Sequence, residues 1–83
     1  MTEQYRQSKI SSRLKKEGWL VVKLMKTTMN GIPDLMCLRN GIVFFVEVKT
    51  PKGILSELQK YTISELQKQG FETKIWTDYE NDY

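Results

Sequence analysis

The chain has 83 residues, with 13 Lys and Arg against 10 Asp and Glu, no His, and a formal net charge of +3. Without His, the sequence excludes Ser-His and Cys-His nucleophile pairs and His-ligated zinc, but it leaves metal chemistry with oxygen ligands open. Cys37 is the only cysteine, which excludes an intrachain disulfide, and no apolar run approaches membrane-spanning length. We therefore expect a cytoplasmic protein that forms one domain over residues 1–83 and has no membrane contact.

The hydrophobic pattern predicts an α/β fold with six elements in the order αβββαβ. They are a helix over residues 3–17, strands over 19–25, 34–38 and 42–49, a helix from about 56 to 70, and a strand over 71–76. Thr2 caps the first helix and Gly18 ends it. Ser56 and Gln59 form a capping box at the start of the second helix, whose apolar stripe includes Leu58. Because a strand, a helix and a strand in succession normally form a parallel unit, the last two strands are expected to be parallel. The residues from about 77 onward lack periodicity and are expected to form a tail.

The turn chemistry of Asn40-Gly41 sets the register of a central hairpin. This pair lies between two apolar runs and is the strongest short signal for a two-residue hairpin turn. If these two residues form the loop, Asp34 lies directly opposite Glu47 on the neighbouring strand. Side chains alternate between the faces of a strand, so Lys49 lies on the same face as both carboxylates.

Two opposed carboxylates and a lysine on one face match the needs of phosphodiester hydrolysis. Like charges directly opposite each other cost on the order of 0.2 to 1 kcal/mol, so the pair of Asp34 and Glu47 brings no benefit to folding. A hard cation such as Mg²⁺ takes oxygen ligands and would screen this repulsion, and the backbone carbonyl of Val48 is a further candidate ligand. Lys49 would position a water molecule and stabilise phosphate charge. The alternative is an ordinary Glu-x-Lys ion pair on a solvated strand face.

Three segments together resemble the signature of the virus-type replication-repair nuclease (VRR-NUC) domain, a branch of the PD-(D/E)xK nuclease superfamily. They are GIPD over residues 31–34, FVEVKTPKG over 45–53 and SELQ over 56–59. The similarity extends over roughly residues 3–76. It implies a restriction-endonuclease-like mixed sheet, dependence on Mg²⁺ or Mn²⁺, and cleavage of DNA phosphodiester bonds.

The resemblance also implies roles for individual residues. The catalytic set is Asp34, Glu47, Lys49 and Gln59, and the metal ligands are Asp34, Glu47 and Glu3, to which the chemical argument above adds the carbonyl of Val48. Glu17 is an alternative to Glu3, and the capping box is an alternative explanation for Gln59. Phosphate contacts are assigned to Lys23, Lys26 and Lys52, although simple exposure of these lysines on a solvated surface is the competing interpretation.

Small stand-alone proteins of this kind resemble phage Holliday-junction resolvases. The leading hypothesis is therefore a homodimeric, structure-selective endonuclease that acts on branched or junction DNA, encoded by a phage or prophage and working inside a host cell. A monomeric nickase or flap nuclease is the alternative within the enzyme class. A non-catalytic DNA-binding module with the same fold and a structural adaptor of a replication complex are the alternatives outside it.

Overall fold

The computed structural model describes residues 2–78, which form two helices and four strands in the predicted order αβββαβ. The elements are α1 (Glu3–Lys16), β1 (Leu20–Lys23), β2 (Leu35–Arg39), β3 (Ile42–Val48), α2 (Glu57–Lys68) and β4 (Glu72–Trp76). The first strand is shorter than predicted at both ends. The α/β fold class is confirmed. None of the helices in this described part is both long and apolar enough to cross a membrane.

The four strands form one mixed sheet in the order β1-β2-β3-β4. β2 pairs antiparallel with both β1 and β3, and β4 runs parallel to β3, as predicted for strands joined through a helix. Asn40 and Gly41 both have positive φ, 50° and 80°, which is the conformation that a two-residue hairpin turn requires. The ladder from Arg39↔Ile42 to Leu35↔Val46 follows the predicted register without a bulge.

The main core lies between α1 and one face of the sheet. Its members are apolar and nearly all inaccessible to water: Ile10, Leu14, Trp19, Leu35, Cys37, Phe44, Val46, Val48 and Trp76. Trp19 packs edge-on against Phe44, with 4.7 Å between the ring centroids. Burial raises the pKa of the Cys37 thiol to about 12, so this residue is a small apolar core group at neutral pH. Burial of each Val, Leu, Ile and Phe side chain in this core adds roughly 1.5–3 kcal/mol to the free energy of unfolding.

The second helix covers only part of the opposite sheet face. Thr62 and Ile63 are buried, but Leu58 is 50% exposed, so its predicted place in the buried stripe is wrong. The backbone of the first turn of α2 contacts the loop at Gly31, while Gln59 in the same turn reaches Glu47 on β3. An apolar groove of ≈ 370 Å³ stays open beside α2, and it is lined by Met36, Leu38, Val43, Phe45, Leu66, Gln69 and Phe71.

The residues that follow β4 contact α1. The Arg6 guanidinium donates a hydrogen bond to the Thr77 carbonyl, and Lys9 Nζ lies 3.4 Å from Asp78 Oδ2. The predicted tail therefore begins with two residues that bind to a helix surface. The rest of that prediction, from residue 79 onward, lies outside the described residues.

Candidate active site

Asp34 lies immediately before β2, where three parts of the chain fix it. Its backbone carbonyl accepts a hydrogen bond from Leu24 N–H, with 2.9 Å between nitrogen and oxygen. Its carboxylate oxygen Oδ2 accepts a hydrogen bond from Val48 N–H at 2.8 Å, and Pro33 beside it is fully buried. One step beyond the last ladder pair, the register places Asp34 opposite Glu47, as the turn chemistry predicted.

Glu47 is a carboxylate in the interior of the protein, with only 2% of its surface exposed. Lys49 Nζ lies 3.5 Å from Glu47 Oε2, and the Gln59 side-chain amide donates a hydrogen bond to the same oxygen at 3.2 Å. The structure therefore brings together Asp34, Glu47, Lys49 and Gln59. The Glu47–Lys49 pair is almost completely shielded from solvent, which differs from the solvated ion pair of the alternative interpretation.

Both carboxylates have a raised proton affinity, and burial is the largest cause for each. Burial raises the pKa of Glu47 to about 7, and the negative charge of Asp34 adds to the rise, while Lys49 opposes it. Burial also raises the pKa of Asp34, against the lowering effect of the Val48 N–H bond. Desolvation acts against the charged form of both groups and like charge reinforces it, which is the situation that a bound cation would relieve.

Gln59 takes part in the capping box and also contacts the buried carboxylate of Glu47. Its Oε1 accepts a hydrogen bond from Ser56 N–H at 2.9 Å, and Ser56 Oγ accepts one from Gln59 N–H at 3.1 Å, so the capping box is complete. Because Ser56 N–H needs an acceptor, the amide oxygen must face the cap and the amide nitrogen must face Glu47. The capping box therefore sets the orientation in which Gln59 contacts the buried carboxylate.

The remaining predicted ligands lie at different distances from this pair. Glu3, exposed in the first turn of α1, is near enough that its charge raises the pKa of both Asp34 and Glu47. Glu17 lies at the opposite end of β2, where its carbonyl accepts a hydrogen bond from Arg39 at 2.6 Å, so it is not a substitute for Glu3. Among residues 2–78, no three side chains of His, Cys, Asp or Glu are grouped closely enough to hold a metal ion.

Of the three lysines predicted to contact DNA, Lys23 is the one with a described interaction with the acidic pair. Lys23 ends β1 opposite Leu35, the residue after Asp34, and its charge lowers the pKa of Asp34. Lys26 and Lys52 are exposed, in the loop after β1 and in the turn after β3. Their exposure leaves both proposed interpretations, phosphate contact and solvated surface, open to experiment.

Sequence reasoning missed one residue next to this site. Thr62 is 1% exposed, and its hydroxyl donates a hydrogen bond to the carbonyl of Asn30 at 2.8 Å. The available signal was a hydroxyl within an otherwise apolar helix stripe, because a buried polar group needs a partner. The identity of that partner depends on how the loop before Asp34 docks, which the stripe does not indicate.

Comparison with known proteins identifies the family. The sequence model of the VRR-NUC domain family matches residues 1–77. A solved structure described as a VRR_NUC domain is 28% identical in sequence, with a TM-score of 0.82, over 93% of this chain and 85% of that one. A search of curated proteins finds no significant match.

Proposed function

The chain belongs to the VRR-NUC domain family, and on that premise we propose that it is a Mg²⁺- or Mn²⁺-dependent endodeoxyribonuclease that hydrolyses phosphodiester bonds as a single nuclease domain. The family is a nuclease family of the PD-(D/E)xK type, whose members generally depend on divalent metal and act on DNA. The observation that carries the proposal is the buried carboxylate of Glu47, which faces Asp34 and contacts both Lys49 and Gln59.

The donor groups at this site fit a hard divalent cation. Mg²⁺ is usually bound by one or two carboxylates and keeps several waters, so Asp34 and Glu47 supply enough charged ligands. Val48 N–H is directed at Asp34, and in an extended strand the carbonyl of a residue points to the same edge as its N–H. We therefore assign the Val48 carbonyl as a third ligand. Glu3 on α1 does not form a three-carboxylate group with this pair, and we assign it an electrostatic contribution to cation binding. A cation held there would neutralise the acidic pair and activate water for attack on phosphorus.

The other polar groups have separate tasks in this proposal. Lys49 carries a positive charge beside Glu47, where it would orient the attacking water and stabilise charge that develops on the phosphate. Gln59 would hold the Glu47 carboxylate in one rotamer. Lys23, Lys26 and Lys52 would contact neighbouring phosphates and so fix the DNA without reading its sequence.

We further propose that the substrate is a four-way DNA junction and that the active form is a homodimer. A resolvase must cut two strands, and residues 2–78 of each chain form one such acidic site, so a two-fold dimer would present one site to each strand. The open groove beside α2 supports self-association, because an apolar surface of this kind is covered in many stable complexes. Leu20, on the same sheet face, is 65% exposed. The corresponding setting is the cytoplasm of a host cell that carries a phage or prophage.

A cleavage assay with a panel of DNA structures tests the proposal. Wild type and Glu47→Gln would be incubated with four-way junctions, flaps, nicked duplexes and linear duplexes, with Mg²⁺, Mn²⁺ or chelator. Junction cleavage that requires metal and is lost in Glu47→Gln is the expected result. Glu65→Gln, which removes a carboxylate on the far part of α2 where it pairs with Lys68, is the matched control and should cleave normally.

The alternatives give different results in the same experiment. Cleavage of flaps or nicked duplexes with intact four-way junctions would contradict the resolvase assignment and favour a flap nuclease or nickase. If wild type cleaves no DNA with any metal, and Asp34→Asn binds junctions as well as wild type does, the protein is a non-catalytic binding module. Light scattering during size-exclusion chromatography separates monomer from dimer, and a monomeric mass at the concentration of the assay would contradict the homodimer.

A further inference from the structure

The loop before Asp34 rests directly on the backbone of α2. Gly31 has φ of +78°, and a Cβ added there would lie 2.8 Å from the Leu58 carbonyl oxygen and 3.0 Å from Thr62 Oγ1. Real Cβ atoms essentially never make the shorter of these approaches and seldom make the longer, and the left-handed backbone also favours glycine. Only glycine therefore lets the loop approach the helix this closely.

Thr62 holds the loop in that position through a hydrogen bond. Its hydroxyl donates to the Asn30 carbonyl at 2.8 Å, and the residue is 1% exposed. A buried hydrogen-bonding group left without a partner costs about 1–3 kcal/mol, so the loop carbonyl and the helix hydroxyl stay together. The hydrogen bond joins residues 32 positions apart in the chain, and it is not one of the backbone bonds that hold the sheet or the helices together.

The segment between this contact and Asp34 is short and stiff. Ile32 is restricted to extended geometry by the proline that follows it, and Pro33 has a fixed φ and is fully buried. Because these residues have little conformational freedom, a displacement of the loop at Asn30 also displaces Asp34. The bond from Leu24 N–H to the Asp34 carbonyl closes the loop from its other side.

The same helix also contacts the second carboxylate. Gln59 and Thr62 are three positions apart and so lie on one face of α2. Gln59 donates to Glu47, while Thr62 holds the loop that ends at Asp34. We infer that Thr62 is a positioning residue for the acidic pair, so that one turn of α2 sets the separation of the Asp34 and Glu47 carboxylates. This inference rests on the proposed function, in which both carboxylates bind one cation.

The consequence is a specific effect on metal affinity. Thr62→Val keeps the volume of the side chain but removes the hydroxyl, which leaves the Asn30 carbonyl without its donor. Loss of a group that orients a metal ligand usually weakens metal binding roughly 10- to 100-fold. We expect Mn²⁺ to bind Thr62→Val at least about tenfold more weakly than wild type. Thr62→Ser keeps the hydroxyl and should restore binding to about the wild-type value.

Isothermal titration calorimetry with Mn²⁺, in the absence of DNA, measures this effect independently of cleavage. Thr73→Val is the first matched control, because the buried Thr73 hydroxyl has no hydrogen-bond partner among the described residues. Ile63→Val is the second control, because it removes a methyl group from a buried position on α2 without changing a polar contact. Both controls should bind Mn²⁺ like wild type, at a temperature well below the unfolding of every variant.

The results separate this inference from the proposed function. If folded Thr62→Val binds Mn²⁺ as tightly as wild type, the inference is wrong. It is also wrong if Ile63→Val, destabilised to the same extent as Thr62→Val, loses as much Mn²⁺ affinity. If Thr62→Val does not fold, Gly31→Ala perturbs the same contact from the loop, and normal Mn²⁺ binding by folded Gly31→Ala would overturn the inference. A wild-type protein that binds no Mn²⁺ would remove the proposed function and this inference together.

Discussion

Glu47→Gln is expected to remove a pH-dependent loss of stability from the metal-free protein. Glu47 is almost completely buried, and burial together with the charge of Asp34 raises its pKa from 4.5 to about 7. At about 1.4 kcal/mol for each tenfold change in proton affinity, ionising this group in the folded protein costs about 3 kcal/mol more than in the unfolded chain. Glutamine has a similar shape and carries no charge, so it avoids this cost.

The sign of the effect follows from proton binding. The folded protein holds the Glu47 proton more tightly than the unfolded chain, so the native state carries more protons between pH 4.5 and about 7. The free energy of unfolding contributed by this group is highest below pH 4.5, falls across that window, and is constant above it. Asp34, whose pKa is also raised, changes stability in the same direction.

Urea denaturation of both proteins between pH 4.5 and 8, in the presence of chelator, measures the difference. The stability of wild type relative to Glu47→Gln should fall by up to about 3 kcal/mol as the pH rises. Glu65→Gln should behave like wild type. Saturating Mn²⁺ at pH 8 should stabilise wild type and have little effect on Glu47→Gln. A parallel pH dependence of wild type and Glu47→Gln would refute the reasoning, because Glu47 would then ionise as easily in the folded state as in the unfolded one.

Further predictions concern the core, the cap and the DNA contacts. Leu14→Ala empties a fully buried position and should lower the free energy of unfolding by roughly 2–5 kcal/mol in urea denaturation; a loss near zero would contradict the packing of α1 on the sheet. Ser56→Ala removes the oxygen that accepts the Gln59 N–H and should cost about 1 kcal/mol in the same assay, whereas an unchanged midpoint would show that the cap adds nothing. Lys52→Gln should weaken binding to all DNA sequences alike and reduce the slope of log affinity against log salt by about one, measured by fluorescence anisotropy, and an unchanged slope would identify Lys52 as a merely exposed residue.

Local turn chemistry explains why the register of the site could be predicted from the sequence. A two-residue turn at Asn40-Gly41 leaves one pairing of the flanking strands, and both residues do have positive φ. The opposition of Asp34 and Glu47 then follows by counting along the two strands. The capping box at Ser56 is equally local, because both of its hydrogen bonds join residues three positions apart.

Features that depend on how distant segments dock could not be read from the pattern. Leu58 fits an amphipathic stripe, yet its side chain is 50% exposed, and the loop at Gly31 contacts its backbone carbonyl. The counted register predicted that the Asp34 side chain faces Glu47, but not that its carboxylate accepts a hydrogen bond from Val48 N–H. That bond depends on where β2 ends relative to β3, which is a property of the folded sheet edge.

The position of Gln59 restricts which substitutions the helix and the site can both accept. A capping box works with glutamate as well as glutamine, and a negative charge in the first turn of a helix is favourable in itself. Helix stability alone would therefore admit Gln59→Glu. The same change would bring a third carboxylate against Glu47 Oε2, where the present amide donates a hydrogen bond. Helix stability and the acidic site thus place opposite demands on the side chain at position 59. A substitution that improves the cap of α2 without regard to Glu47 would damage the site.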